Sequence, residues 1–264
     1  MKSVKQLVLG ALAVSPFILS QSVAAVEAEP TPDPSRTTGA IVNFIGNDGP
    51  VNPVDPLDPG KDAQPNNPDG SVPEVGTSGP LSLDFASMIS FGTNKISTKD
   101  KVYNALAQPI LTDGMFKYVP NYVQVTDTRG TLKGWTLSVK QNGQFKSVTS
   151  NKVLTGAEIT FSSGQTASIS ESPAPTATGT FSLNPDGTGV VENAMKAAEG
   201  QGAGTWVYRF GNESNVIEVP RPEIPALTVE TNTVRLSVPG STNKVSEEYR
   251  TSLTWTLSNL PGNE

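Results

Sequence analysis

From residue 81 onward, apolar and polar positions along the chain trade places with a period of two. The runs SLDFASMISFG, YVQVTD, GWTLSVKQ, AEITFS, TASIS, GTFSLN, TWVYRFG, NVIEVP, ALTVET, TVRLSVPG and YRTSLTWTLS are rich in Val, Ile, Thr and aromatic residues. Gly, Pro, Asn and Asp stand between them. Short alternating runs separated by turn formers predict strands, and this many predict an all-β fold, an antiparallel β-sandwich or barrel. VVENAMKAAEG, residues 190–200, is the one stretch that reads as helical, for one to three turns. GAIVNFIG, residues 39–46, adds a short β-prone run near the start.

Strand side chains point alternately to opposite faces. Trp135, Leu137 and Val139 therefore share a face opposite Thr136, Ser138 and Lys140. Leu253, Trp255 and Leu257 likewise lie opposite Thr254, Thr256 and Ser258, and Trp206, Tyr208 and Phe210 opposite Val207 and Arg209. These three strands hold every tryptophan of the chain, and two of them repeat the tetrapeptide Trp-Thr-Leu-Ser, 120 residues apart. Trp206 is assigned to the core. For Trp135 and Trp255 two roles stand side by side: core packing, where an indole removes up to about 250 Å² from water, or a stacking platform for sugar rings. After the first repeat, Asn142-Gly143 signals a hairpin. A strict two-residue turn there places Lys146 on the Trp135 face, so a one-residue bulge turning Phe145 inward is expected.

Residues 47–80 break the alternation. They hold eight prolines and five aspartates, too few donors for a sheet ladder, and predict a long Pro/Asp-rich loop with polyproline-II character near the N-terminus. At the chain start, Lys2 and Lys5 precede an apolar run from Leu7 to Leu19, and Val23 and Ala25 are small residues suited to peptidase cleavage. That pattern is a secretory signal, too short to span a bilayer. The expected organisation is a signal peptide at 1–25, a flexible N-terminal tail at 26–37 and one β domain at 38–264 that includes the 47–80 loop. No membrane span is expected after cleavage.

Composition narrows the chemistry. Removing Lys2 and Lys5 from 19 basic residues leaves 17 against 25 acidic ones, a formal charge of −8. That argues against nucleic acid as a partner. Cysteine is absent, so a hydrophobic core rather than disulfides must hold an exported fold. Histidine is absent too, which removes Ser-His-Asp and Cys-His machinery and His-bearing zinc sites. Between Asp127 and Glu158 no acid occurs, yet Arg129, Lys133, Lys140, Lys146 and Lys152 do: either a basic patch for phosphate groups or a solvated strand face. Asp48, Asp55, Asp58, Asp62 and Asp69 lack calcium-loop spacing and read as solvating charge. Asp84 and Asp127 are the candidates for a glycosidase pair, with no motif around them. No catalytic residue, metal or cofactor is expected.

PNYVQVTDTRGTLKGWTLSVKQNGQF (120–145) and YRTSLTWTLSNLPGN (249–263) resemble the two signature regions of WxL-domain surface proteins of Gram-positive bacteria. VDPLDPG, GTSGPLSLDFAS, GAEITFSSG and GAGTWVYRFG add to the resemblance, which spans about residues 38–264. It implies a secreted cell-surface protein, held noncovalently on the cell wall and credited with binding peptidoglycan or another wall glycopolymer, without catalysis. It also implies, as the alternative, a subunit of a surface complex with other WxL proteins, held by a membrane-anchored WxL-interacting partner. Carried over by position, the signature residues are Trp135, Leu137, Trp255 and Leu257. The ending NLPGNE lacks the Thr-Gly of a sortase signal, so sortase anchoring is not expected.

Overall fold

The computed structural model describes residues 34–184, 186, 188–220 and 228–259. The expected signal peptide, most of the tail and the end of NLPGNE lie outside them. The chain divides into a unit up to Asn43 and a second from Phe44 onward. In the first, residues 34–43 are exposed and carry no strand. The β-prone run at 39–46 forms no strand either, because its backbone finds no ladder partner.

The second unit is all-β. Its strands are β1 (Val54–Asp55), β2 (Asp58–Asp62), β3 (Gln64–Pro65), β4 (Leu81–Ala86), β5 (Lys101–Leu106), β6 (Gln108–Thr112), β7 (Met115–Val119), β8 (Tyr122–Asp127), β9 (Trp135–Gln141) and β10 (Lys146–Ser147). They continue with β11 (Glu158–Phe161), β12 (Gly164–Ala167), β13 (Thr176–Ala177), β14 (Phe181–Ser182), β15 (Val190–Ala197), β16 (Gly204–Phe210), β17 (Val216–Val219), β18 (Thr228–Val238), β19 (Tyr249–Arg250) and β20 (Leu253–Ser258). Two four-stranded antiparallel sheets have the orders β12-β16-β8-β4 and β13-β15-β9-β20. A third is built around β18, which pairs with β11, β17 and β5, while β14 lies on β11. A small sheet, β3-β6-β7, and the pairs β1-β2 and β10-β19 complete the unit.

The sheet β12-β16-β8-β4 separates two cores. On one side Val123, Val125, Trp206, Tyr208 and Phe210 meet Trp135, Leu137, Val139, Phe161 and Val234 from the other large sheets. On the other side Tyr122 and Val207 meet Val54, Ala63, Phe85, Ile110 and Val119. Both faces being covered explains why all six residues of β8 are buried. Trp206 sits in the first core as its alternation requires, its indole N–H donating to the Ala203 carbonyl at 3.0 Å.

Three further expectations change. Val190–Ala197 is a strand, not a helix: Ala194, Met195 and Ala197 are buried against β9 across a bulge between Val191 and Met195. The local helix preference of Glu, Ala, Met and Lys gives way to cross-strand packing. Asn142-Gly143 does turn the chain, with Gly143 at φ +90°, but the following residues do not return along β9. That edge is taken by β20, whose Leu253, Trp255 and Leu257 match β9 without any bulge. Phe145 still enters the core, from the loop before β10.

The third concerns the Pro/Asp segment. Its first half is built into the fold as β1, β2 and β3, and Val54 and Ala63 belong to the second core. Asp55 makes this possible. One carboxylate oxygen accepts the Leu57 N–H at 3.0 Å, forming the turn between β1 and β2, and the other faces the Lys117 ammonium at 2.5 Å. The prolines thus fall beside short ladders rather than inside long ones.

Candidate functional site

The two Trp-Thr-Leu-Ser repeats are neighbours in space. β9 and β20 run antiparallel with Leu137 opposite Leu257, Val139 opposite Trp255, Ser138 opposite Thr256 and Lys140 opposite Thr254. Alternation sends Trp and Leu of both strands to one side and their hydroxyl residues to the other.

On the inner side Trp135 and Leu137 are fully buried. The Trp135 indole N–H donates to the Gly202 carbonyl at 3.0 Å. Gly202 has φ +73°, and a Cβ there would lie 2.9 Å from that indole nitrogen and 2.5 Å from the Ala197 Cβ, so only glycine admits the indole so close to the backbone. Trp255 and Leu257 are half-buried, because β20 is the edge of its sheet. Trp255 meets the ring of Phe161 edge to face, 6.3 Å between centroids at 82°. Trp135 thus has no surface to offer a ligand, and Trp255 offers part of one.

The outer side carries Thr136, Ser138 and Lys140 on β9 and Thr254, Thr256 and Ser258 on β20. Lys196 and Thr176 extend the row that starts at Thr136. Asn142 donates to the hydroxyls of Thr254 and Ser252 at 2.8 and 3.0 Å, fixing one end of this face. Thr254 and Thr256 are exposed. Hydroxyls at strand spacing with interspersed ammonium groups can exchange hydrogen bonds with sugar hydroxyls and amides and attract carboxylate or phosphate.

The basic residues 129–152 stand on several segments. Arg129 donates to both Asp127 oxygens, at 2.9 and 2.7 Å, and to the Gly134 carbonyl at 2.7 Å, bracing the loop that leads into β9. Hydrogen bonding to Asp127 raises the Arg129 pKa further. Lys133 is exposed in that loop, Lys140 stands on the outer face of β9, Lys146 lies on β10 opposite Arg250, and Lys152 is exposed beyond β10.

Asp84 is buried and accepts from Ser82 at 2.5 Å, Thr126 at 2.6 Å and Gln124 at 2.9 Å. Burial raises its pKa despite these donors. Because Gln124 and Thr126 share one face of β8, Asp127 points to the other. Asp84 and Asp127 therefore cannot flank one glycosidic bond. Among the described residues no three acidic, His or Cys side chains are grouped to hold a metal. Asp55, Asp58 and Asp69 make separate contacts, with Lys117, Lys61 and Ser71. Among the described residues no helix is long and apolar enough to cross a membrane.

Two features escaped the sequence reading. One is a cleft of about 1080 Å³ between residues 88–96 and 244–251, floored by Tyr103, Phe145 and Leu236. The other is the pair Phe116 and Tyr118, exposed on β7. The Met-Phe-Lys-Tyr-Val run was the available signal for the second; nothing local marks the first, which forms between distant segments.

No curated protein and no solved structure matches the chain. A family does: that of WxL domain surface cell wall-binding proteins, over residues 31–261. That match covers both signature strands, β15 and β13 of the same sheet, and the sheet behind them; the family is one of surface wall-binding domains, which supports a place at the cell surface. The chain belongs to the WxL domain family of surface cell wall-binding proteins.

Proposed function

We propose that this protein is exported and attaches noncovalently to the cell wall by binding peptidoglycan, and that the outer face of β9 and β20 takes part in the contact. One observation carries the reading: the two signature strands pair with their Trp and Leu residues turned into the core, so the same strands present Thr136, Ser138, Lys140, Thr254 and Thr256 outward as a regular polar row. The indoles stiffen the platform, and the hydroxyls and ammonium groups meet the polymer. Each contact is weak, and a repeating polymer multiplies them through effective concentration. No bond is made or broken. Sedimentation of the mature chain with purified peptidoglycan tests it. Wild type is expected to co-sediment, and the Ser138→Ala, Lys140→Ala, Thr256→Ala triple variant to stay largely in solution while keeping its fold. A wild-type chain that ignores purified peptidoglycan refutes the reading.

A second reading has its own support. Among the described residues β20 pairs with β9 alone. An open edge accepts a strand from another protein, as an interaction subunit held by a membrane-anchored partner would require. Retention on intact cells without affinity for purified peptidoglycan favours it.

A further inference from the structure

The small sheet β3-β6-β7 turns its aromatic residues the wrong way for a solvated sheet. One face packs into the second core: Ile110 and Val119 are fully buried there, and Lys117, directly opposite Ile110, faces Asp55. The other face carries Leu111, Phe116 and Tyr118, with Gln64 completing the row Gln64–Leu111–Phe116 across all three strands. Phe116 is 56% exposed and Tyr118 42%. Their rings stand 5.3 Å apart at 87°. An edge strand ordinarily hides its apolar residues and shows its charge. In β7 Val119 is hidden, but Phe116 and Tyr118 face water while Lys117 turns to a buried carboxylate.

Asp55 specifies this reversal. It is fully buried, and its carboxylate is matched by Lys117 at 2.5 Å. A one-residue slip of β7 would bring Phe116 or Tyr118 against that carboxylate and leave a buried charge unpaired. The ion pair therefore holds the two rings in water. Lys61, bridging to Asp113 at the β6–β7 turn at 2.8 Å, fixes the same hairpin from β2. Aromatic rings kept exposed by an ion pair to a buried carboxylate are a mark of a contact surface.

We infer that Phe116 and Tyr118 form a stacking platform for the pyranose rings of the peptidoglycan glycan strand, a site separate from the signature strands. The inference rests on the reading that the domain binds peptidoglycan. The C–H faces of equatorially substituted sugars are apolar and pack on aromatic rings. Two rings at right angles meet one sugar by face and by edge, and Gln64 lies in the same row with an amide able to bond a hydroxyl or acetamido group. The size of the patch favours a sugar over a protein. Two rings and a half-buried leucine offer a few hundred Å² at most, short of the roughly 800 Å² per partner of a stable protein interface. A glycan strand compensates by repetition.

The test titrates soluble glycan strands, freed of stem peptides by amidase digestion, into the full mature chain by calorimetry, with intact peptidoglycan in parallel. Wild type is expected to bind both. The Phe116→Ala, Tyr118→Ala double variant should bind strands about tenfold more weakly or worse, with an unfolding midpoint within about 2 °C of wild type, and Phe116→Trp should retain binding. Equal strand affinity in wild type and double variant overturns the platform and leaves peptidoglycan binding standing. Wild type that binds intact peptidoglycan but not strands also overturns it, since the ligand is then the stem peptide. Wild type that binds neither overturns both readings.

Discussion

The β9/β20 pair and the β6/β7 hairpin are both antiparallel, and both carry large apolar residues at a period of two with aromatics among them, yet one turns its aromatics inward and the other outward. In β9 the alternate positions are Thr, Ser and Lys, which water accepts, so Trp135 and Leu137 take the core. In β7 the alternate positions include Lys117, which a buried carboxylate claims, and Val119, which the second core takes, so Phe116 and Tyr118 take the surface. What faces an aromatic residue's neighbours, rather than the aromatic itself, decides which side it occupies.

That contrast can be broken most forcefully at Trp135. Trp135→Ala empties a fully buried site and leaves the Gly202 carbonyl without its donor, an expected loss of about 3–5 kcal/mol; urea unfolding checks it, and wall binding should fail together with the fold. Asp55→Ala comes next, at about 2–3 kcal/mol, because it strips the second core of its charge match. It should also weaken glycan binding, since β7 then loses what fixes its register, and the same unfolding curve read beside the calorimetry shows both. Trp255→Ala should cost about 2 kcal/mol, less than Trp135→Ala, since half of that indole already lies in water. Equal losses at the two tryptophans would contradict the placement of β20 at the sheet edge.

A subtler effect comes from Asp84. Burial raises its folded pKa above the unfolded one, so the folded chain holds this proton more tightly. Its stability contribution is full below the unfolded pKa and falls as pH climbs through the raised value. Melting midpoints of wild type should therefore drop relative to Asp84→Asn as pH rises out of the ordinary carboxylate range. The smallest effect on stability belongs to Phe116→Ala and Tyr118→Ala, which should move the midpoint by no more than about 2 °C.

The facing of strands was legible in the sequence; their partners were not. Period-two alternation placed Trp135 with Leu137 and Trp206 with Tyr208 and Phe210 correctly, because it reports only which residues share a side. It carries nothing about which strand lies alongside, so β10 was expected where β20 stands. Met195 and Ala197 read as helical because their β character comes from β9 alone. Asp55 read as solvating charge because its partner, Lys117, lies 62 residues on. The outward hydroxyls of the signature strands were visible from the start, whereas the exposure of Phe116 and Tyr118 depends on that distant ion pair.

The partnership of β9 with β20 also governs when the molecule can finish folding. Ser138 reaches across to the backbone of Thr256, 118 positions later. Closing so long a loop costs entropy before any contact repays it, which slows the search for the native topology. Until residues 253–258 arrive, β9 keeps an unpaired flank of the sort that invites aggregation. A nascent chain must be shielded through that interval, and β20 works as the latch.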